Sequence, residues 1–416
     1  MEAIDSIYDL DDTIIISNST KKEDYFKVNA ITGTDWNANG TKSFEINNQQ
    51  TYLNLSESFL LCKFKFTKAG NNTNATLVND FFWKMFDSVR LYIGTQEVEA
   101  VDYVSAVSEM MKFTLYSFGD RMGKGAVEGF IPDMSTGTNT DPGYNQRKGM
   151  YNDDTKAGNS FTVAVPLKGI FGFCDHDKVL YGLKIRFQLQ RNDNENRLLF
   201  GVASAFGDQN KFVIDEMSWY ISEYTPNLKT EEMLNRRLNS KKPLGVSYLK
   251  RRCQHVKLNQ TTYTWNLGVL EGKPRYLWII FKKPDGDTAT DKNNALSDNA
   301  KVKQLRVSLD GTFYPRDRLE INWEKNDFAE AYKSYQKVCE SNGNKEPILD
   351  MTAFKSLYTI YAFDLSAQKE TIKSNRVDTS LYIERGESEE VDTYCLLLEE
   401  TELQINTDNG VMISLT

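Results

Sequence analysis

Cysteine and histidine are scarce in this chain of 416 residues, with five of the first and two of the second. Cys62, Cys174, Cys253, Cys339 and Cys395 are odd in number, widely scattered and never spaced as CxxC. That argues against a disulfide framework and a zinc site, and for folding in a reducing compartment. No apolar run approaches the roughly 20 residues of a membrane span, and Met1-Glu-Ala-Ile-Asp5 lacks the basic, apolar start of a signal peptide. G-x-S-x-G, P-loop, G-x-G-x-x-G and H-E-x-x-H motifs are also missing, so no enzymatic site or cofactor is indicated. Positive charge is in deficit: the net charge of -8 argues against a dedicated nucleic-acid binder, while leaving room for a local basic face. Aromatic residues, by contrast, make up 12% of the chain, with 21 Tyr and 23 Phe, which suits strands better than helices. The length is enough for two ordinary domains.

One stretch organises the rest. In Ser88-Val-Arg-Leu-Tyr-Ile-Gly94, Val89, Leu91 and Ile93 alternate with Arg90 and Tyr92, the period of a strand with one buried face. Gly94-Thr95 reads as a turn, Glu97-Val-Glu99 starts back, and a helix begins near Asp102, with Val107, Met110, Met111 and Leu115 as its apolar residues. The pattern recurs at Gln304-Leu-Arg-Val-Ser-Leu-Asp-Gly311, followed by a helical segment from Asp327. Upstream, Phe44–Ile46, Thr51–Leu55 and Leu60–Phe66 match Val256–Leu258, Thr262–Leu267 and Tyr276–Lys282 in order. The offset drifts from roughly 211 to 225 residues, as loop insertions produce. The order predicts a duplicated unit.

The expected architecture is therefore all-β: two tandem antiparallel β-sandwiches with short helices in the loops. Residues 1–40 read as an N-terminal arm dispensable for the fold, 41–226 as the first sandwich, 227–243 as a linker and 244–416 as the second sandwich. The polar stretch from Asp133 to Gly158 reads as a long loop on one exposed face.

Three features invite a chemical reading. Asp9 and Asp11, in Tyr8-Asp-Leu-Asp-Asp-Thr-Ile14, have the Asp-x-Asp-x-Thr spacing of a phosphatase nucleophile and acid/base. That chemistry needs βαβ units behind the pair, and strand after strand follows here instead. Cys174-Asp-His-Asp177 lists metal-ligand types, but neighbouring residues on a turn point different ways and no second cluster completes four ligands, so it reads as a polar turn. His255 has no nucleophile motif beside it. The third feature is the run from Arg236 to Arg252, where Arg236, Arg237, Lys241, Lys242, Lys250, Arg251 and Arg252 meet no acidic residue. It is read either as a solvated linker face or as an interior-facing basic patch on packaged DNA.

At this point the order of features resembles the double jelly-roll major capsid proteins of icosahedral DNA viruses. Phe86-Asp-Ser-Val-Arg-Leu-Tyr-Ile-Gly94 and the stretch from Pro166 to Phe187 are similar to those of Polinton/Maverick-type elements and adintovirus-like relatives. The resemblance covers roughly residues 41–416 and implies a double jelly roll without an active site, cofactor or metal. It implies a homotrimer forming a pseudo-hexameric capsomer, neighbouring capsomers and a penton or minor capsid protein as partners, and non-specific contact with packaged DNA. A capsid protein of the virion would fold in the host cytoplasm or nucleus. A cytosolic carbohydrate-binding sandwich is the alternative; it would be expected to show an Asp/Asn calcium site or a clustered aromatic platform in one half, and neither is evident.

Overall fold

A computed structural model describes residues 19–32, 35–47, 51–66, 74–152, 160–192, 194–202, 205–206, 212–270, 272–284, 289–369, 376–408 and 411–414. Among the described residues, twenty strands make two sandwiches. The first holds β1 (Thr20–Thr32), β2 (Gly40–Asn47), β3 (Tyr52–Phe66), β4 (Ala75–Leu77), β5 (Phe86–Ile93), β6 (Gln96–Asp102), β7 (Ser160–Pro166), β8 (Leu180–Tyr181), β9 (Lys184–Arg191), β10 (Leu199–Gly201) and β11 (Phe212–Pro226). The second holds β12 (Leu244–Leu258), β13 (Thr262–Leu270), β14 (Lys273–Lys282), β15 (Val302–Leu309), β16 (Thr312–Tyr314), β17 (Tyr361–Asp364), β18 (Val377–Arg385), β19 (Val391–Asp408) and β20 (Val411–Ser414).

The pairing order shows that the halves share one topology. One leaf runs β1-β11-β3-β7 in the first half and β12-β19-β14-β17 in the second. The other runs β2-β9-β5-β6 and β13-β18-β15-β16. Every described pairing within these leaves is antiparallel. In the first half β1 joins the two leaves, since Thr20–Asn29 pair with β11 whereas Ala30 and Thr32 pair with β2. Strand alternation fills the core: Ile185, Phe187 and Leu189 of β9 point inward with Val89, Leu91 and Ile93 of β5. Across the sandwich, Trp219 of β11 meets Phe187 at 5.8 Å and Phe44 of β2 at 6.4 Å between ring centroids.

The duplicated hairpin is β5–β6 against β15–β16, and the Val104–Leu115 and Ala329–Ser341 helices occupy the same connection after it. Two of the expected upstream matches are out of step. Phe44–Ile46 lie in β2, whose counterpart is β13, but Val256–Leu258 end β12; Thr51–Leu55 and Leu60–Phe66 are one bent strand, β3, whose counterpart is β14 alone. A register shift opposite Tyr220–Ser222 splits β3 into two apparent segments. The boundary of the arm also needs correction. Thr20–Thr32 belong to β1, with Val28 in the core, so the stretch expected to be dispensable supplies the edge of the first sandwich. The Asp133–Gly158 stretch likewise contains a helix, Pro142–Tyr151, started by Asp141 and by Pro142 in its first turn.

Candidate functional site

The surface between the sandwiches is built from charge. Glu99 on β6 is fully buried and accepts N–H bonds from Phe173 at 3.1 Å and Arg251 of β12 at 2.8 Å. The Arg251 guanidinium reaches Leu249 O at 2.7 Å and pairs with Asp175. Tyr248 adds a bond from its hydroxyl to Val98 O at 3.0 Å. Burial pushes the Glu99 carboxyl above its usual range, against the opposing pull of Arg251 and the N–H donors. Gly172 makes this approach possible, because a Cβ there would lie 1.9 Å from Leu249 O.

The Val104–Leu115 helix carries the junction further. Its Glu109 pairs with Lys282 of β14 at 2.6 Å, both largely buried. Lys112 sits between Asp80 at 2.7 Å and Glu128 at 3.4 Å, and Tyr116 donates to Glu128 at 2.7 Å. Burial alone would disfavour the Lys112 ammonium, but the two carboxylates outweigh it and its pKa is raised. Asn344 of the second half donates to Tyr116 O at 2.7 Å and Thr114 O at 3.3 Å, meeting carbonyls left open at the helix end. Tyr335 donates to Phe113 O at 2.7 Å. Beyond it, Arg147 and Asp133 pair at 2.9 Å with both side chains fully buried, while Asn293 of the second half donates to Asp133 at 2.8 Å. Of these, the Glu99–Arg251, Arg251–Asp175, Tyr248, Glu109–Lys282, Asn344, Tyr335 and Asn293 contacts cross between the sandwiches and hold them as one block, whereas the Lys112 and Arg147 ion pairs brace the first sandwich beneath them.

The residues singled out from sequence do not assemble into one site. Arg236, Arg237, Lys241 and Lys242 are exposed at the end of the Leu228–Asn239 helix and the turn after it. Arg236 lies 4.0 Å from Glu232, and Arg237 folds back onto Ser240 Oγ and the carbonyls of Lys242 and Pro243. The other three leave the patch: Arg251 is buried in the junction, Arg252 is 3.9 Å from Glu399, and Lys250 pairs across the ladder with Glu399. The seven-residue basic patch is therefore four residues. Alternation on β12 turns Arg251 into the junction and Lys250 and Arg252 to the opposite face, beside Glu399.

Around His176, Asp175 is taken by Arg251 and Asp177 accepts from Asn54 at 2.7 Å and Ser56 at 2.9 Å. His255 is bonded to Asp392 at 2.7 Å and packs between the rings of Tyr103 and Tyr394. No three His, Cys, Asp or Glu side chains are grouped for a metal among the described residues. Asp9 and Asp11 lie outside the described residues. All five cysteines are buried, and burial raises the Cys339 thiol to about 12.

One surface escaped sequence reasoning. On the outer face of the β1-β11-β3-β7 leaf, Phe59 stacks on Tyr220 at 5.3 Å and meets Tyr25 edge-on at 5.4 Å. Tyr25 is 53% exposed. A cavity of about 680 Å³ continues from it past Met111, Leu115, Val127 and Pro166. The available signal was the alternation of Phe26, Val28 and Ala30 within the supposed arm.

The model of the double jelly roll-like domain family matches residues 140–402. No curated protein matches the chain. Solved structures similar to it include that of the Sputnik virophage, with a TM-score of 0.62 and 11% identity over 97% of this chain and 90% of that one. The PBCV-1 virus capsid gives 0.61 and 11% over 97% and 98%. The mavirus major capsid protein gives 0.54 and 9% over 94% and 90%.

Proposed function

Since the chain belongs to the double jelly roll-like domain family, we propose that it is a structural major capsid protein, without catalytic role, building the shell of an icosahedral DNA virus. The observation that carries this reading is the block itself: two sandwiches of one topology, joined by the Lys282–Glu109 and Arg251–Asp175 ion pairs. Such a block presents two like walls. Three copies in a closed ring give six, and ring closure needs a heterologous contact between the first sandwich of one subunit and the second of the next. The product is a homotrimeric, pseudo-hexameric capsomer that meets neighbouring capsomers and a penton or minor capsid protein. A permanent contact of this kind buries well above roughly 2,000 Å².

The finer assignment, to a Polinton/Maverick-type or adintovirus-like virus or element, rests on the Phe86–Gly94 and Pro166–Phe187 resemblances. The protein folds in the host cytoplasm or nucleus and resides in the virion. Interior contact with DNA, in this reading, belongs to the four exposed cations Arg236, Arg237, Lys241 and Lys242, and goes to phosphates without reading sequence.

Native mass spectrometry of the purified chain tests the proposal, followed by negative-stain microscopy. The expected mass is three times the 47.7 kDa chain. A monodisperse monomer at micromolar concentration in moderate salt would overturn it.

A further inference from the structure

We infer that Lys112 and Asp80 condense to an isopeptide bond inside the first sandwich, with Glu128 carrying the proton. The inference concerns chemistry within one chain and does not rest on the capsid reading. The three side chains come from separate elements. Asp80 directly precedes the short Phe81–Lys84 helix, in left-handed backbone with a φ of 55°, and its N–H donates to Gly129 O at 3.1 Å. Lys112 lies in the last turn of the Val104–Leu115 helix, and Glu128 ends the short Ala126–Glu128 helix. The side chains of Asp80, Lys112 and Glu128 are 4%, 7% and 3% exposed. The Lys112 ammonium also stands 5.5 Å from the centroid of the Phe130 ring. Bulk water is thus nearly excluded from an amine and two carboxyl groups.

A plain ion pair accounts for this cluster poorly. One ammonium faces two carboxyl groups, and Oδ2 of Asp80 is buried without a hydrogen-bond partner among the described residues. Charge and an unmet oxygen are both costly in such a place. Condensation removes both, because it turns a buried ammonium and carboxylate into one neutral amide. The geometry is close to reactive. Lys112 Nζ lies 2.7 Å from Asp80 Oδ1, which brings it near the roughly 3–3.5 Å from Cγ of a near-attack arrangement.

A proton path is in place. Glu128 Oε2 is 3.4 Å from Lys112 Nζ, and the Tyr116 hydroxyl holds the carboxyl group at 2.7 Å. Burial pushes Glu128 above the usual carboxylate range, against the pull of Lys112, so it suits a group that takes and returns a proton. Glu128 accepts one proton from the ammonium, and the freed nitrogen lone pair attacks Cγ of Asp80 to form the C–N bond. Glu128 then gives that proton to an Asp80 oxygen. A second proton follows from the nitrogen, the C–O bond breaks and water leaves, while the third proton stays on the amide. Ammonium and carboxylate thus become amide and water, and no oxidant or cofactor is needed. Burial works against the Lys112 charge, but the two carboxylates outweigh it, so the free amine is scarce and the step slow. A bond made once per chain needs no speed. Lys112 and Glu128 border the cavity of about 680 Å³, which gives the water a way out.

Mass spectrometry of the intact, denatured chain tests the inference. The expected mass is one water below that of the sequence. Digestion should yield a branched peptide that joins the segments around Asp80 and Lys112, which are 32 residues apart. Asp80→Ala and Lys112→Arg chains should show the full mass. Since either may fold badly, Glu128→Gln serves as the second variant: it keeps the size of the side chain and an acceptor for Tyr116. That chain should fold with an unchanged circular dichroism spectrum and lose at least tenfold in cross-linked fraction. Full mass in the folded wild-type chain after days at neutral pH would overturn the inference. So would a water loss mapped to Asp310-Gly311, where a succinimide produces the same change in mass. Undiminished cross-linking in Glu128→Gln would overturn it too, by taking the proton carrier out of the step.

Discussion

Asp141 shows how far one side chain can set local structure. Its carboxylate accepts N–H bonds from Met134, Ser135, Thr136, Gly137 and Gly143, at 2.8 to 3.1 Å. Burial opposes its charge, but these donors outweigh that and hold its pKa well below the usual carboxylate range. The sign of the pH effect follows. A folded pKa below the unfolded value, near 3.9, contributes stability that is full at neutral pH and is lost as pH falls through and below about 4. Asp141→Asn should therefore cost about 1–3 kcal/mol at pH 7 and about 1 kcal/mol less at pH 3, measured by urea unfolding at both. An equal cost at both pH values would show that shape, not charge, matters here. Gly172 makes the opposite case, where the absence of a side chain is what counts. With backbone and the Arg251 guanidinium inside the space of a Cβ, Gly172→Ala should destabilise by at least about 2 kcal/mol in the same assay.

At the scale of elements, legibility in the sequence followed local periodicity. The β5 and β15 hairpins could be read because each alternates over one buried face and turns at Gly94 or Asp310-Gly311. Strand β14 could be found but not oriented: Leu277–Phe281 are all buried, so no alternation marks its faces, because the Val104–Leu115 helix covers the side away from the core. Strand β1 was missed for the converse reason. It is an edge whose burial pattern is almost wholly exposed, so the short alternation of Phe26, Val28 and Ala30 is a weak local signal and long-range pairing with β11 and β2 makes it a strand. The junction was equally hidden, since Glu99, Glu109, Arg251 and Lys282 are charged residues whose partners lie far away in sequence, and charge reads as surface. Deletion experiments separate arm from strand. Removing residues 1–18 should leave soluble protein with an unchanged unfolding midpoint. Removing 1–32 strips the edge from β11 and uncovers the core beside Trp219, and should leave the chain insoluble or strongly destabilised. Equal behaviour of the two would deny β1 its place in the sandwich. Asn344→Ala tests the other link, leaving Thr114 O and Tyr116 O unmet, with an expected loss of about 1–3 kcal/mol.

For the whole molecule, the buried ion pairs and the bare aromatic face have different consequences. The Lys282–Glu109 and Arg251–Asp175 pairs bind the two sandwiches into a single block, so the two halves should melt in one transition. The face formed by Tyr25, Phe59 and Tyr220 lies outside that block, on a leaf whose other side is already core. Clustered rings beside a largely apolar cavity are the kind of surface through which chains associate. In a closed ring of three it would be covered by the second sandwich of the next subunit. Replacing Tyr25 and Tyr220 together by Ser removes most of the exposed ring area and leaves the inward-facing residues of β1 and β11 intact. The expected result is a mass falling from three chains to one, with the unfolding transition of the isolated chain preserved. Persistence of the trimer would move the interface to another face, whereas loss of folding along with the trimer would mean that the rings serve the sandwich itself.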